Sequence, residues 1–251
     1  TMSSGMASGG MRPVCAVYST FLQRGYDQLI HDVAIQKTHV VFAVDRAGLV
    51  GPDGQTHQGI FDVPYLTGIP NMTVLAPSTH AELQTALRQA LYDYDTPVAV
   101  RYPRGSEREV RGDTFDRSTA VLRGGGDVTI VSYGILINEA MDAAARLHEQ
   151  GIEAEVLKLN RLTGSDLSPV IGSVRKTGRL IVAEDCVQAG GVGEKIVARL
   201  GETGAVPPFV RLINLKDAFI PEGRVPELCQ RYGIDGAAIA AAALEGMHCE
   251  R

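Results

Sequence analysis

A glycine-rich loop holds the residues of this sequence that are best suited to chemistry. It reads DRAGLVGPDGQTHQG over residues 45–59, and its four glycines allow the backbone to approach a ligand closely. The loop also contains His57, and a histidine side chain can accept or donate a proton during a reaction. Arg46 and Asp53 lie in the same loop. The composition leaves one alternative open, a surface loop in which Asp53 caps a turn and His57 is simply solvated.

Two arginines at predicted strand ends could bind an anion together. Arg46 and Arg104 each follow an apolar run of strand length, and guanidinium groups suit the bidentate binding of phosphate or carboxylate. The alternative is a pair of surface ion pairs with acidic residues. Phe21 also follows a predicted strand, where its ring could stack on a flat heterocycle or belong to the hydrophobic core.

A second glycine-rich stretch, AGGVGEK at residues 189–195, lies between a predicted strand and a predicted helix. Backbone N–H groups at the start of a helix can bind an anion. However, the spacing fits neither the phosphate-binding loop nor the complete dinucleotide fingerprint. Close packing of the helix against the strand is therefore the favoured interpretation.

Apolar runs of strand length alternate with segments of helical periodicity along the chain. Strands are predicted at residues 13–18, 40–44, 73–76, 98–102, 128–132, 154–159, 180–183 and 210–214. Helices are predicted at residues 21–34, 137–150, 166–175, 192–200, 225–232 and 237–245, with another that begins near Ser78. Helices between successive strands imply crossover connections and parallel sheets. The predicted fold class is α/β, with two doubly wound, mostly parallel sheet domains.

The segment 105–119 is predicted to connect the two domains, because it is rich in charged and hydroxyl residues and poor in apolar ones. The first domain is placed at residues 1–112 and the second at residues 120–251. The opening residues, TMSSGMASGG, are either a helix that ends at Gly9-Gly10 or a disordered tail. Ligands of such folds gather at the carboxyl ends of the strands. The candidate residues follow strands of the first domain, so the site is predicted there.

Bulk properties exclude several classes of protein. The 251 residues carry a net charge of −5 with a pI near 5.7, so no general attraction to nucleic acid or acidic lipid is expected. No apolar run approaches the roughly 18 residues that a membrane helix requires. The four cysteines lack CxxC spacing, which favours reduced thiols in a cytoplasmic protein over a disulfide framework.

Three motifs resemble those of 1-deoxy-D-xylulose-5-phosphate synthases. YSTFLQRGYDQ at residues 18–28 is similar to the family's YSTFLQRAYDQ, and the loop at residues 45–59 is similar to the family's DRAGLVGxDGxTHxG. RYPRG at residues 101–105 matches the family as well. The motifs follow in the family's order, and the similarity continues through the second half. The resemblance therefore covers essentially the whole chain.

The resemblance implies a transferase that condenses pyruvate with D-glyceraldehyde 3-phosphate, releases carbon dioxide and feeds isoprenoid, thiamine and pyridoxal synthesis. Thiamine diphosphate and Mg²⁺ are the implied cofactors, and a homodimer is the implied assembly. The first domain would be the pyrimidine-binding domain of the thiamine-diphosphate-binding fold. The second would be the transketolase-type C-terminal domain.

The same resemblance assigns a role to each candidate residue. Phe21 would stack on the aminopyrimidine ring of the cofactor. His57 would hydrogen-bond the reacting oxygens of the substrate and assist proton transfer, with Arg24 supporting the site electrostatically. The catalytic residues would be His57, Arg24 and Asp53. The phosphate of the acceptor aldehyde would be held by Tyr18, Arg46 and Arg104, with Asp53 in the same network.

Parts of the family's active site are absent from these residues. The family binds the diphosphate and its magnesium with a long N-terminal domain, and a glutamate upstream of TMSSGMASGG activates the aminopyrimidine. The chain is therefore expected to hold half an active site, to need the missing domain as its partner and to be inactive alone. Two smaller departures are Gly25, usually alanine in the family, and Cys186 in EDCVQAGGVG, where relatives more often read EEG.

Two alternative functions remain at this point. A transketolase-type ketol transferase shares the architecture and the cofactor, although the YSTFLQR segment and Arg46 argue against it. A non-catalytic interaction fragment would fit the absence of the N-terminal domain. The beta subunits of pyruvate dehydrogenase-type enzymes share the two-domain layout, but their loops show no match.

Overall fold

A parallel sheet of four strands forms the first half of the protein, whose computed structural model describes residues 1–106, 108 and 114–248. The strands are β1 (Val14–Tyr18), β2 (Val41–Asp45), β3 (Thr73–Leu75) and β4 (Val98–Arg101), in the order β1-β2-β4-β3. Tyr18 pairs with Asp45 at the ends of β1 and β2, and Val44 pairs with Arg101 at the end of β4. The carboxyl ends of these three strands therefore lie side by side.

The helices of the first half are shorter than the sequence predicts. The described ones are α1 (Met2–Ser8), α2 (Ser19–Leu22), α3 (Tyr26–Gln28), α4 (Asp62–Thr67) and α5 (His80–Tyr92). The single regular helix predicted at residues 21–34 is wrong, because a 3-10 turn at Gln23–Gly25 and a π-helical turn at Leu29–Ala34 interrupt it. Gly25 weakens the regular helix, since glycine loses more backbone freedom on ordering than other residues. The N-terminal residues form a helix, so the alternative of a disordered tail is also wrong.

The second half contains a mixed sheet of five strands. They are β5 (Thr119–Arg123), β6 (Val128–Tyr133), β7 (Ala154–Leu159), β8 (Arg179–Ala183) and β9 (Phe209–Ile213), in the order β5-β7-β6-β8-β9. Only β5 is antiparallel to its neighbour. The described helices are α6 (Ile137–His148), α7 (Ser168–Thr177), α8 (Val192–Glu202), α9 (Val225–Tyr232) and α10 (Gly236–Met247). Two α/β units with mostly parallel sheets confirm the predicted fold class.

Strand β5 is absent from the sequence prediction. Its first residue, Thr119, was assigned to the connection at residues 105–119, and only that residue of the strand is fully buried. The apolar run of this edge strand has only three residues, at 120–122, and these alternate little between buried and exposed positions, so the sequence gives a weak strand signal. Residues 107 and 109–113 of the predicted connection lie outside the described residues. The domain bounds 1–112 and 120–251 therefore stay predictions.

Helix α5 begins at His80, close to the start near Ser78 that the sequence predicts. Thr79, not Ser78, is the N-cap, and its side chain accepts a hydrogen bond from Glu82 N at 3.2 Å. Ser78 instead donates through its backbone N and its Oγ to the Glu82 carboxylate, each at 2.7 Å. The Thr79 side chain thus accepts from the Glu82 backbone, and the Glu82 side chain accepts from the backbone of Ser78, one residue before the cap. The arrangement is similar to a capping box.

The two sheets meet at strand β3. Ala76 N donates to Asn160 O at 2.9 Å, and Leu162 N donates to Val74 O at 2.8 Å. One hydrophobic core continues across the junction and contains side chains from both sheets, including Val44 and Val182. The two halves therefore form one packed body.

Glu82 and Lys158 form a buried ion pair across this junction, with side chains 1% and 0% exposed. Burial alone would raise the pKa of Glu82, but Lys158 and Ser78 outweigh it and hold the pKa below its usual value of 4.5. A carboxylate with a lowered folded-state pKa stabilises the fold above its unfolded pKa, and that contribution is lost as the pH falls through the folded-state pKa. We therefore expect the free energy of unfolding to decrease as the pH drops below 4.5.

Urea unfolding at a series of pH values measures this contribution. The Glu82→Gln variant should lose less unfolding free energy than the wild type over the acid range, because its amide does not titrate. Glu245→Gln is the matched control, since Glu245 is 61% exposed in its pair with Arg211. Parallel acid profiles for wild type and Glu82→Gln would show that the buried pair is not responsible.

Candidate active site

The candidate site lies at the carboxyl edge of the first sheet. Strand β1 ends at Tyr18 and continues directly into α2, which carries Phe21. Strand β2 ends at Asp45 and is followed by the loop at residues 45–59, called the histidine loop below. Strand β4 ends at Arg101, three residues before Arg104. Three neighbouring strands thus deliver the predicted residues to one edge.

The histidine loop is folded back on itself. Gly48 and Gly59 exchange two backbone hydrogen bonds, each of 2.8 Å, which close the base of the loop. A side chain at position 59 would place its Cβ 2.2 Å from Arg46 O, so glycine is required there. Most residues near the base are buried. The base of the loop is therefore packed into the protein, while its tip, at Pro52, Gln55 and Thr56, is exposed.

The two predicted arginines converge on a single oxygen atom. Arg104 Nη1 donates to Asp53 Oδ2 at 2.8 Å, and Arg46 Nη1 donates to the same oxygen. The Arg46 guanidinium also lies over the Tyr18 ring, with its carbon 4.1 Å from the ring centre. Two cations share one carboxylate, so the cluster keeps an excess of positive charge. The alternative of ion pairs with an acidic residue is therefore realised, and the binding of a phosphate by the two arginines stays a prediction.

Three rings and a further arginine line the neighbouring wall. Tyr18 and Phe21 stack with centres 5.4 Å apart and planes inclined by 20°. His57 meets Phe21 edge-on at 5.4 Å, and the Arg24 guanidinium lies 5.6 Å from the Phe21 ring centre. Phe21 is 40% exposed, so its alternative assignment to the hydrophobic core is wrong. An open aromatic face of this kind suits a flat ligand ring.

The imidazole of His57 is oriented through its neighbour Thr56. Thr56 Oγ1 and His57 Nδ1 form a hydrogen bond of 2.9 Å, and Thr56 O accepts from Thr20 Oγ1 at 2.8 Å. Among the described residues, none hydrogen-bonds to Nε2 of His57. The ring is therefore held at one nitrogen and can use the other to accept or donate a proton.

All seven predicted site residues belong to one continuous set of contacts. The set runs from Arg24 through Phe21 to Tyr18, then through Arg46 to Asp53 and Arg104, with His57 on Phe21: Tyr18, Phe21, Arg24, Arg46, Asp53, His57 and Arg104. Their position after predicted strands makes Phe21, Arg46, Asp53, His57 and Arg104 candidates, and the family resemblance adds Tyr18 and Arg24. Their chemical roles stay predictions.

A buried ion cluster beneath the site was missed. Arg101 Nε donates to Asp62 Oδ2 at 2.9 Å, and Arg101 Nη2 donates to Asp185 Oδ1 at 3.0 Å. Burial raises the pKa of the Asp62 carboxyl, and Arg101 offsets only part of that rise. Asp185 belongs to the second sheet's half and lies after β8. Arg101 opens the RYPRG motif, but nothing in the sequence indicates that its partners come from both halves.

The second glycine-rich stretch binds an anion that the protein itself provides. Val192 N and Gly193 N, at the start of α8, donate to the Glu184 carboxylate at 2.7 and 2.9 Å. Burial raises the pKa of Glu184, and these two amides counteract the rise. A Cβ at position 193 would lie 2.7 Å from Glu184 Oε1 and 3.0 Å from Leu212. Close packing, the favoured interpretation, therefore holds together with anion binding at the helix start.

Other types of site find no support in the part of the chain that the structure describes. No group of three or more His, Cys, Asp or Glu side chains there could hold a metal ion. No helix in the described ranges combines the length and apolar character needed to cross a membrane. Cys15, Cys186 and Cys229 are free thiols, and Cys249 lies outside the described residues.

Two family models match the chain, one for each sheet. The first is the pyrimidine-binding domain of transketolase, over residues 1–109. The second is the C-terminal domain of transketolase, over residues 118–239. Together they account for both halves of the fold.

Curated relatives share a specific name. The 1-deoxy-D-xylulose-5-phosphate synthase of Thermomicrobium roseum is 44% identical over 97% of this chain. Synthase 1 of Geobacter sulfurreducens is 41% identical over 96%, and the synthase of Heliobacterium modesticaldum is 42% identical over 100%. The chain spans only 39% of the length of each of these relatives.

Solved transketolase structures share the fold. A split-gene transketolase, described as an inactive β4 tetramer, superposes with a TM-score of 0.84 at 27% identity, over 100% of this chain and 81% of that one. A transketolase variant from Pichia stipitis superposes with a TM-score of 0.77 at 18% identity, over 93% of this chain and 34% of that one. The chain therefore belongs to the transketolase-like family: it consists of the pyrimidine-binding and C-terminal domains of that family and is similar to the corresponding part of 1-deoxy-D-xylulose-5-phosphate synthases.

Proposed function

We propose that this chain supplies the acceptor-binding half of a thiamine-diphosphate-dependent synthase. The enzyme would condense pyruvate with D-glyceraldehyde 3-phosphate to 1-deoxy-D-xylulose 5-phosphate and release carbon dioxide. The observation that carries the proposal is the convergence of Arg46 and Arg104 on Asp53 Oδ2. This ion pair lies beside an exposed aromatic face and beside the His57 imidazole, which is hydrogen-bonded at Nδ1. Anion, ring and proton chemistry are thus available within one set of contacts.

The arginine pair is suited to bind the phosphate of the acceptor. Asp53 already holds both guanidinium groups around its Oδ2 atom, so the two arginine side chains lose little further entropy when the phosphate binds. Their combined charge exceeds that of Asp53, and this excess favours a dianionic group. The Tyr18 ring packs against the Arg46 guanidinium and helps to hold it in position.

The exposed face of Phe21 fits the pyrimidine ring of thiamine diphosphate. The ring lies open at the strand end, and Tyr18 and His57 hold it in place. When bound, the cofactor supplies a stabilised carbanion for carbon–carbon bond formation. Within this chain, Arg24 places a positive charge beside that face, and His57 holds or passes a proton at Nε2.

The diphosphate and Mg²⁺ are assigned to a partner domain. The chain spans 39% of the length of its curated relatives, and the described residues contain no group of three or more His, Cys, Asp or Glu side chains that could hold a metal ion. The structurally similar split-gene transketolase subunit, described as an inactive β4 tetramer, supports a subunit of this type that requires a second polypeptide. We assign residues 1–112 to the pyrimidine-binding domain and residues 120–251 to the C-terminal domain. We further propose that the assembled enzyme is a homodimer and that it is located in the cytoplasm.

The proposal is tested on the assembled enzyme, defined as this chain together with the diphosphate-binding domain from the same organism. With thiamine diphosphate and Mg²⁺, the assembled enzyme should release carbon dioxide from pyruvate. D-glyceraldehyde 3-phosphate should be required for this release or should strongly stimulate it. The chain alone should show no turnover. An assembled enzyme that binds cofactor but never consumes pyruvate would refute the synthase assignment.

A transketolase-type activity is the second candidate. The TM-score of 0.84 over 100% of this chain to a split-gene transketolase favours it. The donor substrate separates the two activities. Transfer from a ketose phosphate without carbon dioxide release would support transketolase, whereas decarboxylation of pyruvate supports the synthase.

Replacing Arg104 with alanine should impair binding of the phosphorylated acceptor. One charge-assisted contact is lost, so kcat/KM for D-glyceraldehyde 3-phosphate should fall about ten- to a hundredfold. The kcat/KM for unphosphorylated D-glyceraldehyde should be the same in the wild type and in Arg104→Ala, because the contact that is lost is to the phosphate. Arg199→Ala, at an exposed pair with Glu202 in the second half, is the matched control. Equal losses for both aldehydes would place Arg104 outside the phosphate site.

A further inference from the structure

We propose that Asp185 and Gln58 are positioning residues through which the second half of the protein holds the histidine loop in its reactive shape. The proposal deepens the function proposed above and rests on it for its kinetic part. It gives the C-terminal domain a defined task in catalysis, although that domain contributes none of the seven predicted site residues. The contacts that carry it lie at the base of the loop and along its first arm.

Asp185 supports the base of the loop directly. Gly48 lies so close that a Cβ there would be 2.2 Å from Asp185 Oδ2. The other carboxylate oxygen, Oδ1, accepts from Arg101 Nη2 at 3.0 Å, and Arg101 is only 2% exposed. Asp185 therefore ties the end of β4 to the loop base from the opposite half of the molecule. Gly48 has a φ of 73°, a conformation that a larger residue would resist.

Gln58 holds the loop next to His57, one residue before the closing pair at Gly59. Its Oε1 accepts from Val50 N at 2.8 Å inside the loop, and its Nε2 donates to Pro221 O at 3.1 Å in the second half. Gln58 is 2% exposed, and its bond to Val50 is buried while its bond to Pro221 is partly buried. The same strip of the second half lies against Gly51, whose Cβ would be 2.9 Å from Gly223 O.

The active groups of the loop lie between these two attachments. Asp53 and His57 stand on a segment without regular secondary structure, so no helix or strand fixes their positions. A catalytic group must be held within a fraction of an ångström of its productive place. A displacement of about 1 Å can lower a rate a hundredfold. The second half is the rigid surface on which this loop is supported.

A general packing role would act differently from a positioning role. Loss of general packing would weaken the whole second half, and every protected amide would respond. Loss of positioning would free the histidine loop while the strands stay protected. Hydrogen exchange of individual amides separates these two outcomes and needs no catalytic activity.

The variants are Asp185→Asn and Gln58→Met, both close in size to the original side chains. In this chain, the amides of Gly48 and Gly59 should exchange at least about tenfold faster in each variant. Neither amide bonds to a replaced side chain, so the change reports the shape of the loop. Amides of β2 and β6 should keep their rates. Thr129→Val is the matched control, because it disrupts a buried hydroxyl cluster with Ser173 and Thr177 in the second half, away from the loop.

In the assembled enzyme, both variants should lower kcat about ten- to a hundredfold. The Kd for thiamine diphosphate should change much less than kcat, because Phe21 lies outside the histidine loop and keeps its stacking partner Tyr18. Unchanged loop exchange in Gln58→Met overturns the inference, as does equal acceleration in Thr129→Val. If Asp185→Asn fails to fold, Gln58→Met decides alone. If the loop amides exchange faster in the variants but the assembled enzyme has no synthase activity, the positioning of the loop by the second half would stand. Only the proposed function would then be refuted.

Discussion

Replacing Arg101 with methionine is expected to lower the free energy of unfolding by roughly 3–5 kcal/mol. Arg101 is the cation between the Asp62 and Asp185 carboxylates, and all three side chains are almost completely buried. Methionine approximates the length of the arginine stem but leaves two carboxylates without a counter-ion in a dry environment. Urea unfolding at neutral pH, followed by circular dichroism, measures the loss.

The cost should depend on pH in a defined direction. Burial raises the pKa of Asp62 above its usual value of 3.8, and removing the cation would raise it further. A carboxyl group with a raised folded-state pKa favours folding while it is protonated, and this contribution is lost as the pH rises through that pKa. The deficit of Arg101→Met should therefore be largest at neutral pH and shrink as the pH falls.

Two further variants identify the origin of this cost. Adding Asp62→Asn to Arg101→Met should restore part of the stability, because the amide carries no charge that needs a partner. Arg211→Met is the matched control. Arg211 pairs with Glu245 at the surface and is 49% exposed, so its loss should change stability by about 1 kcal/mol or less. Similar losses for Arg101→Met and Arg211→Met would mean that the buried cluster contributes nothing special.

The sequence predicted the site because its residues follow strands in one parallel sheet. Tyr18 and Asp45 stand at strand ends, and the carboxyl ends of parallel strands must meet at one edge. The order of the motifs along the chain therefore corresponds to their proximity in space. Arginine, aspartate, histidine and exposed aromatic side chains were also informative by type, because few structural roles need all four together.

The support of the site could not be predicted in the same way. Asp185 follows a strand of the other sheet, and its contact with Gly48 depends on how the two halves pack. No periodicity within either half encodes that arrangement. The Gln58–Pro221 bond is likewise formed between residues far apart in the chain. Edge strand β5 was missed for a different reason, because a solvent-exposed strand of this length has no buried face to give a pattern.

Replacing His57 with alanine should give the largest loss of activity in the assembled enzyme. General acid–base catalysis by a positioned side chain contributes about 10²–10⁴-fold to a rate, so kcat should fall by that factor. Thr56 holds the imidazole at Nδ1 through a 2.9 Å hydrogen bond, which leaves Nε2 to exchange a proton with the substrate. The KM for D-glyceraldehyde 3-phosphate should change much less than kcat, because Arg46 and Arg104 remain in place. Steady-state kinetics with both substrates varied gives the two parameters.

The control for His57→Ala is a histidine of similar chemistry outside the site. His148 is 62% exposed and pairs with Glu153 in the second half, so His148→Ala should keep wild-type kcat. The pH profile adds a second criterion, since a general acid–base group near neutrality gives one limb of a bell-shaped kcat curve. That limb should disappear in His57→Ala and persist in His148→Ala. A kcat that stays within threefold of the wild type, roughly 0.7 kcal/mol of barrier, would remove His57 from the proton-transfer role and leave it as a packing partner of Phe21.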